Sequence, residues 1–100
     1  VINNGYVLAI EGPEGTDETI KRSSHLLKKY RLKNKSILIK FPKANQDLRV
    51  DLPTIGLDTI KNCIKANIKG IAVKRSQNII LDKDKIMNLT KKNNFFIISL

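Results

Sequence analysis

The apolar residues of this chain change their period repeatedly, so that short strand-like runs alternate with stretches of helical spacing. Such alternation predicts an α/β fold, in which helices cover a sheet. The chain has 100 residues, enough for a single small domain. Strands are predicted at residues 6–10, 36–41, 70–74, 78–81 and 95–98, with residues 1–2 at the end of a further strand. Helices are predicted at residues 16–30, 57–66 and from residue 82 onward.

The spacing within each helix predicts which residues face the core. Thr16 and Asp82 are predicted as N-caps of the first and third helices, since both residue types favour that position. The residues predicted to point inward are Ile20, Leu27, Tyr30, Ile60, Cys63, Ile64, Ile86, Met87 and Leu89. Residues 70–74 and 78–81 read as a hairpin around a turn at 75–77. The expected architecture is therefore a mixed sheet of about five to six strands with three helices.

The net charge of +10 favours an anionic partner such as a phosphate-bearing substrate, a nucleic acid or an anionic membrane surface. A lysine-rich composition without a binding role explains the same charge. Cys63 is the only cysteine, so an intrachain disulfide is excluded. No apolar run approaches the length of a membrane span, and no signal peptide is visible, so we expect a cytoplasmic domain.

Residues 11–17, Glu-Gly-Pro-Glu-Gly-Thr-Asp, form the first candidate constellation. They follow a predicted strand and open a predicted helix. Carboxylates clustered in this way can hold Mg²⁺ through oxygen ligands, and the free N–H groups of a helix N-terminus can receive a phosphate. A plain turn with acidic residues matching the helix dipole explains the spacing equally well.

Residues 40–56 form the second constellation, a polar stretch that fits neither a helical nor a strand period. Its cations are Lys40, Lys43 and Arg49, a combination that can clamp a phosphoryl group. If residues 48–51 are extended, Asp47 and Asp51 share one face with Arg49 and can bind a metal or orient a water. A solvated loop with surface ion pairs is the alternative interpretation.

The two constellations together resemble the UDP-2,3-diacylglucosamine pyrophosphatase family of the LpxI type. The matching stretches are Val-Leu-Ala-Ile-Glu at 7–11, Glu-Gly-Thr-Asp at 14–17, Leu-Ile-Lys at 38–40, Lys43, Gln-Asp-Leu-Arg-Val-Asp-Leu-Pro-Thr-Ile-Gly at 46–56, Gly-Ile-Ala-Val at 70–73 and Leu-Asp at 81–82. The run at 46–56 is the most specific. Gly12-Pro13 departs from the pattern, which has small or branched apolar residues there.

This resemblance implies hydrolysis of the pyrophosphate bond of UDP-2,3-diacylglucosamine to UMP and 2,3-diacylglucosamine 1-phosphate, a Mg²⁺-dependent step of lipid A biosynthesis. Members of the family have two domains with the lipid-linked substrate between them. Residues 1–100 would be the catalytic-side C-terminal domain, and the N-terminal domain is absent, so we expect this fragment to be inactive alone. The expected partners are UDP-diacylglucosamine, the missing domain, a second copy in a homodimer and the inner membrane surface, with no nucleic acid.

The resemblance and the residue chemistry together give the candidate site. The catalytic candidates are Asp47, Asp51 and Asp17. The substrate-binding candidates are Lys40, Lys43, Gln46, Arg49, Thr16 and Thr54. The metal-ligand candidates are Asp47, Asp51 and Glu14. If this assignment holds, the Glu14–Asp17 turn and the Asp47–Asp51 loop should line one cleft.

A small basic nucleic-acid-binding module is the alternative from another functional class. It is motivated by the charge of +10 and by the absence of acidic residues from Thr19 to Gln46. No helix-turn-helix, RRM, KH or zinc pattern supports it.

Overall fold

The computed structural model describes residues 1–33, 35–42 and 54–100. Strands β1–β7 are Ile2–Asn3, Tyr6–Val7, Ser36–Lys40, Thr54–Ile55, Gly70–Val73, Ile79–Ile80 and Phe96–Ser99. Helices α1–α3 are Thr16–Lys29, Leu57–Lys65 and Lys83–Lys92. The predicted elements are all present, although the strand expected at residues 6–10 ends at Val7. None of the helices in the described ranges is long and apolar enough to cross a membrane.

Five strands form the main sheet in the order β2-β1-β3-β5-β7. Strand β3 pairs in parallel with β5, and β5 pairs in parallel with β7. Strand β1 is antiparallel to both β2 and β3. The prediction of an α/β domain with a mixed sheet and three helices is therefore confirmed.

The predicted hairpin around residue 76 is wrong. A tight turn is present, with the Gln77 amide donating to the Lys74 carbonyl. Strand β6, however, does not join the main sheet. Strand β6 pairs in parallel with β4, through Thr54 opposite Ile79 and Ile55 opposite Ile80. The physical reason is that β3 and β7 occupy both edges of β5, so β5 has no free edge for a hairpin partner.

The core lies between the main sheet and the helices. Leu38 and Ile71 of the sheet are buried in one cluster with Ile20 of α1, Ile60 of α2 and Ile86 of α3. A right-handed crossover places its helix on a face that depends on the direction in which the chain moves across the sheet. The steps from β2 to β3, β3 to β5 and β5 to β7 all move in the same direction, so all three helices cover the same face.

Most of the predicted inward-facing residues are buried or packed against the core, but two predictions are wrong. Met87 is 47% exposed, because it follows the buried Ile86 and points around the helix toward solvent. Tyr30 is 60% exposed, because α1 ends at Lys29 and Tyr30 is its C-cap.

One of the two predicted N-caps is wrong and the other is confirmed. Gly15, with φ 88°, is the N-cap of α1, and Thr16 is the first helical residue. A positive φ of this size suits glycine, which has no Cβ to clash. Asp82 does occupy the N-cap of α3, but its side chain makes no capping hydrogen bond. The hydroxyl of Thr16 is therefore available for another partner.

Candidate functional site

The candidate site lies where β3 ends and α1 begins. Lys40 is the last residue of β3, and Thr16 is the first residue of α1. Glu11 lies in the segment that connects β2 to α1. In α/β sheets, the carboxyl ends of parallel strands and the N-termini of the following helices meet at one edge, where ligands commonly bind.

Three side chains from these elements form a hydrogen-bonded group, which we call the Glu11–Thr16–Lys40 cluster. The Lys40 ammonium donates to Thr16 Oγ1 at 2.6 Å and to Glu11 Oε2 at 3.3 Å. Thr16 Oγ1 in turn donates to Glu11 Oε2 at 2.8 Å. The cluster joins residues that are 29 positions apart in the chain, so it ties the connecting segment to the end of the sheet.

The cluster is half-buried and still reaches solvent. The side chains of Lys40 and Glu11 are 21% and 26% exposed. An ammonium group has three N–H donors, and Glu11 and Thr16 accept from two of them. Partial burial weakens the screening of this charge by water, so a bound anion would interact with it more strongly than with a surface lysine. The arrangement can therefore bind a phosphate beside the N-terminus of α1.

Glu14, a predicted metal ligand, is engaged by other groups of the same segment. Its carboxylate accepts from Arg22 Nη2 at 2.7 Å, from the Gly12 amide at 3.0 Å and from Thr19 Oγ1 at 3.3 Å. Hydrogen bonding from the backbone, followed by Arg22, holds the pKa of Glu14 below its ordinary value. Arg22 also donates to the Ile10 carbonyl at 2.8 Å, so it fastens the whole segment to α1.

The other predicted residues divide into two groups. Asp17 lies exposed in the first turn of α1, close to the cluster in sequence, and Thr54 is exposed at the start of β4. The remaining candidates lie outside the described residues: Lys43, Gln46, Asp47, Arg49 and Asp51. The predicted cleft between the Glu14–Asp17 turn and the Asp47–Asp51 loop therefore stays a prediction.

Sequence reasoning placed Glu11 among the carboxylates of the first constellation but not among the final site residues, and it missed Lys74. Lys74 directly follows β5, and the pairing of Lys40 with Val73 puts Lys74 opposite Phe41 at the same sheet edge. Its ammonium lies 5.9 Å from the centroid of the Phe41 ring. The available signal was a lysine at the carboxyl end of an apolar strand, as Lys40 is for β3.

An apolar groove of about 320 Å³ adjoins the cluster. Its walls come from the β1–β2 region and from the end of β3, and they include Val7, Ile10, Ile39 and Phe41. Glu11 and Lys40 also line it, so a cationic group and an apolar channel share one opening. This combination suits an amphiphile whose charged end is a phosphate.

Carboxylates are the expected ligands of Mg²⁺, but the described ones do not form a complete site. Across residues 1–33, 35–42 and 54–100, no three acidic, histidine or cysteine side chains come together in a metal-binding group. The Glu11 carboxylate accepts hydrogen bonds from Lys40 and Thr16, and the Glu14 carboxylate accepts one from Arg22. The described residues alone therefore do not fit a bound magnesium ion.

Comparison with known proteins identifies the family of this chain. The chain is 32% identical over 103 residues to a protein named UDP-2,3-diacylglucosamine pyrophosphatase LpxI, from Caulobacter vibrioides. The match covers 100% of this chain but only 37% of that relative. Residues 1–98 match the family described as LpxI C-terminal domain. The chain therefore belongs to the LpxI C-terminal domain family.

Proposed function

We propose that the protein containing this chain hydrolyses the pyrophosphate bond of UDP-2,3-diacylglucosamine in lipid A biosynthesis. Family membership over residues 1–98 is the observation that carries the proposal. Water adds across the P–O–P bond, and the products are UMP and 2,3-diacylglucosamine 1-phosphate. The chain spans 37% of the relative that bears this activity in its name, so activity is proposed for the longer protein.

The Glu11–Thr16–Lys40 cluster supports a substrate that carries phosphate. Lys40 would bind the pyrophosphate oxygens with its remaining N–H donor, and Thr16 would hold the ammonium in position from the other side. Glu11 would hold the Lys40 ammonium in position before the substrate arrives. Donors fixed in advance stabilise the charge that develops on a phosphoryl group without reorganising during the reaction.

The apolar groove supports a substrate that also carries acyl chains. It opens beside Lys40, and Ile10, Ile39 and Phe41 are among its walls. A lipid-linked nucleotide needs both properties, because its pyrophosphate requires cations and its acyl chains require apolar surface. A soluble sugar nucleotide would leave the groove unused.

The family resemblance implies a requirement for Mg²⁺, and Asp47 and Asp51 are the residues that would hold the ion. When bound, it would neutralise charge on the pyrophosphate. Both carboxylates lie outside the described residues.

The test is a ³¹P NMR assay of the full-length protein with UDP-2,3-diacylglucosamine and Mg²⁺. We expect the pyrophosphate resonances to be replaced by those of UMP and a sugar 1-phosphate. UDP-glucosamine without acyl chains serves as the matched control and should react far more slowly. Intact pyrophosphate resonances after prolonged incubation with folded protein would refute the proposal.

A nucleic-acid-binding module stays the alternative, because the net charge of +10 is high for a domain of this size. It predicts that RNA binding by this chain weakens steeply as salt is raised, in proportion to the phosphates contacted. The pyrophosphatase proposal predicts weak RNA binding with no sequence or length preference. A fluorescence anisotropy titration at several salt concentrations separates the two.

A further inference from the structure

The topology leaves one face of the main sheet without a helical layer from residues 1–33, 35–42 and 54–100. Because the three crossovers all run in the same direction, α1, α2 and α3 cover the face that carries Leu38 and Ile71. No helix among the described residues packs on the opposite face. Doubly wound sheets avoid this situation by reversing their strand order, which sends helices to both sides.

The uncovered face is apolar at every strand position. The strand register gives two rows across it, one in line with Ile37 and the other in line with Ile39. These rows consist of Val7, Ile2, Ile37, Gly70 and Phe96, and of Ile39, Ala72 and Ile98. We call this set the open sheet face.

Exposure confirms that this surface faces outward. Ile39 is 43% exposed, Ile98 44% and Val7 67%. The Phe96 ring lies against Gly70, so close that a Cβ on Gly70 would collide with it. The ring therefore fills the space that glycine leaves and extends the apolar surface across β5.

A wholly apolar face is unusual for a sheet that meets water. Antiparallel sheets with one wet face alternate apolar and polar residues, whereas parallel strands buried on both faces are apolar throughout. Strands β3, β5 and β7 have the second pattern, since Leu38 and Ile71 face the helices and Ile37, Ile39 and Ile98 face outward. The sequence of these strands is thus adapted to a second covering layer.

We propose that the open sheet face is the docking surface for another domain of the same polypeptide. The relative from Caulobacter vibrioides extends well beyond the match, which covers 37% of its length, so a further domain is available in that architecture. The open sheet face borders the groove beside Lys40, and a domain docked there would close the groove and exclude water from the cluster. This inference rests on the two-domain organisation that the proposed function implies.

Hydroxyl-radical footprinting tests the proposal by comparing the 100-residue chain with the full-length protein, both without substrate. We expect labelling of Ile39, Phe96 and Ile98 to fall by about tenfold in the full-length protein, because the centres of such interfaces are packed like protein interiors. Tyr30 and Met87 are the controls, since they are 60% and 47% exposed and lie on the helical layer. Their labelling should not change.

A second measurement uses only the full-length protein. Ile39→Cys and Met87→Cys are each placed in a Cys63→Ala background and treated with a maleimide, and peptide mapping locates the label. The two native side chains have similar exposure in this chain, 43% and 47%, so equal reactivity would overturn the proposal. We expect the cysteine at position 87 to react and the one at 39 to be protected.

Other occupants give different results, and each would overturn the proposal. Protection that appears in the isolated chain only at high concentration would identify a second copy. Protection of position 39 only when anionic lipid vesicles are added would identify a membrane surface. Low labelling of Ile39 in the dilute isolated chain would show that the chain covers this face itself. None of these readouts depends on turnover, so the ³¹P assay tests the proposed function separately.

Discussion

At the scale of single residues, the site depends on one hydroxyl that joins two charged groups. Thr16 Oγ1 accepts from Lys40 at 2.6 Å and donates to Glu11 at 2.8 Å. Both hydrogen bonds involve an ionised group, and such bonds are stronger than neutral ones. Thr16 is therefore expected to matter for stability as well as for binding.

Replacing Thr16 with Val keeps the shape of the side chain and removes both hydrogen bonds. We expect Thr16→Val to lower the free energy of unfolding by about 1 to 2 kcal/mol, because the half-buried partners lose a shared group. Thr16→Ser keeps the hydroxyl and should behave much more like the wild type. Urea denaturation of the chain measures both variants, and equal stability of the two would contradict this account.

The Arg22–Glu14 pair makes a prediction about pH. Arg22→Met should raise the pKa of Glu14 only part of the way to its ordinary value of 4.5, because the backbone hydrogen bonding remains. Lys21→Met is the matched control, since Lys21 pairs with Glu18 at 3.1 Å and not with Glu14. An NMR titration of the Glu14 carboxyl carbon reads the pKa directly.

The sign of the stability effect follows from the lowered pKa. Glu14 ionises more readily in the folded chain than in the unfolded chain, so its contribution is fully present above about pH 4.5 and is lost as the pH falls through the folded pKa. Arg22→Met should weaken this acid dependence. An unchanged Glu14 titration in that variant would show that Arg22 does not control the carboxylate.

At the scale of elements, the sequence predicts which helices and strands are present better than it predicts how the strands pair. Periodicity identifies α1, α2 and α3 because each carries a stripe of apolar residues, such as Ile60 and Cys63 in α2. It does not reveal that β6 joins β4, because the residues of a hairpin and of a crossover strand have the same alternation. Strand β6 cannot pair with β5, because β3 and β7 already occupy both edges of β5. Which edges are occupied is a property of the whole sheet.

At the candidate site, too, the sequence predicts some features and not others. Lys40 and Thr16 were both predicted to bind substrate, and the structure brings them together because the end of β3 meets the start of α1. The contact of Glu11 with Lys40 and the position of Lys74 were not predicted, since both depend on which strands are neighbours. Spacing along the chain carries no information about such contacts between distant residues.

Cys63 gives a prediction about helix α2. Burial, and then the negative charge of Asp17, raises the pKa of its thiol to about 12 from an ordinary value of 9.0. The unfolded chain can therefore ionise this thiol at a pH where the folded chain cannot. The resulting contribution to stability is fully present below about pH 9 and is lost as the pH rises toward 12.

Cys63→Ala should remove this part of the alkaline destabilisation. Stability is measured by urea denaturation between pH 8 and pH 10, and the drop across this range should be smaller in the variant than in the wild type. The native thiol should also react with a thiol reagent only as fast as the chain unfolds. Rapid labelling under native conditions would show that Cys63 is not buried as described.

At the scale of the whole molecule, the helical layer, the sheet and the open sheet face have separate tasks. The helices and one face of the sheet make the core, and the Glu11–Thr16–Lys40 cluster lies where β3 ends and α1 begins. The same direction of crossovers that builds the core places no helix of the described part of the chain on the other face. In our proposal, the fold provides half of a binding site and another domain provides the complementary half.

The catalytic role of Asp51 is implied by the family resemblance, and a substitution tests it. Asp51→Ala in the full-length protein should lower hydrolysis of UDP-2,3-diacylglucosamine by at least about 100-fold, as expected for loss of a positioned base or metal ligand. Substrate binding should survive better, because Lys40, Lys43 and Arg49 still hold phosphate. Asp58→Ala, at an exposed acid in the first turn of α2, is the control. Circular dichroism checks folding, and near-normal turnover would remove Asp51 from the catalytic residues.

The most direct test of the central claim is the initial rate of UMP release by the full-length protein when Lys40 is replaced. The comparison sets Lys40→Ala beside Lys33→Ala, which removes the same charge from an exposed position beyond the other end of the sheet. If the cluster binds the pyrophosphate, Lys40→Ala lowers the rate by about 100-fold or more, and Lys33→Ala leaves it unchanged. Equal rates for the two folded variants, or no UMP from the wild type, would contradict the account.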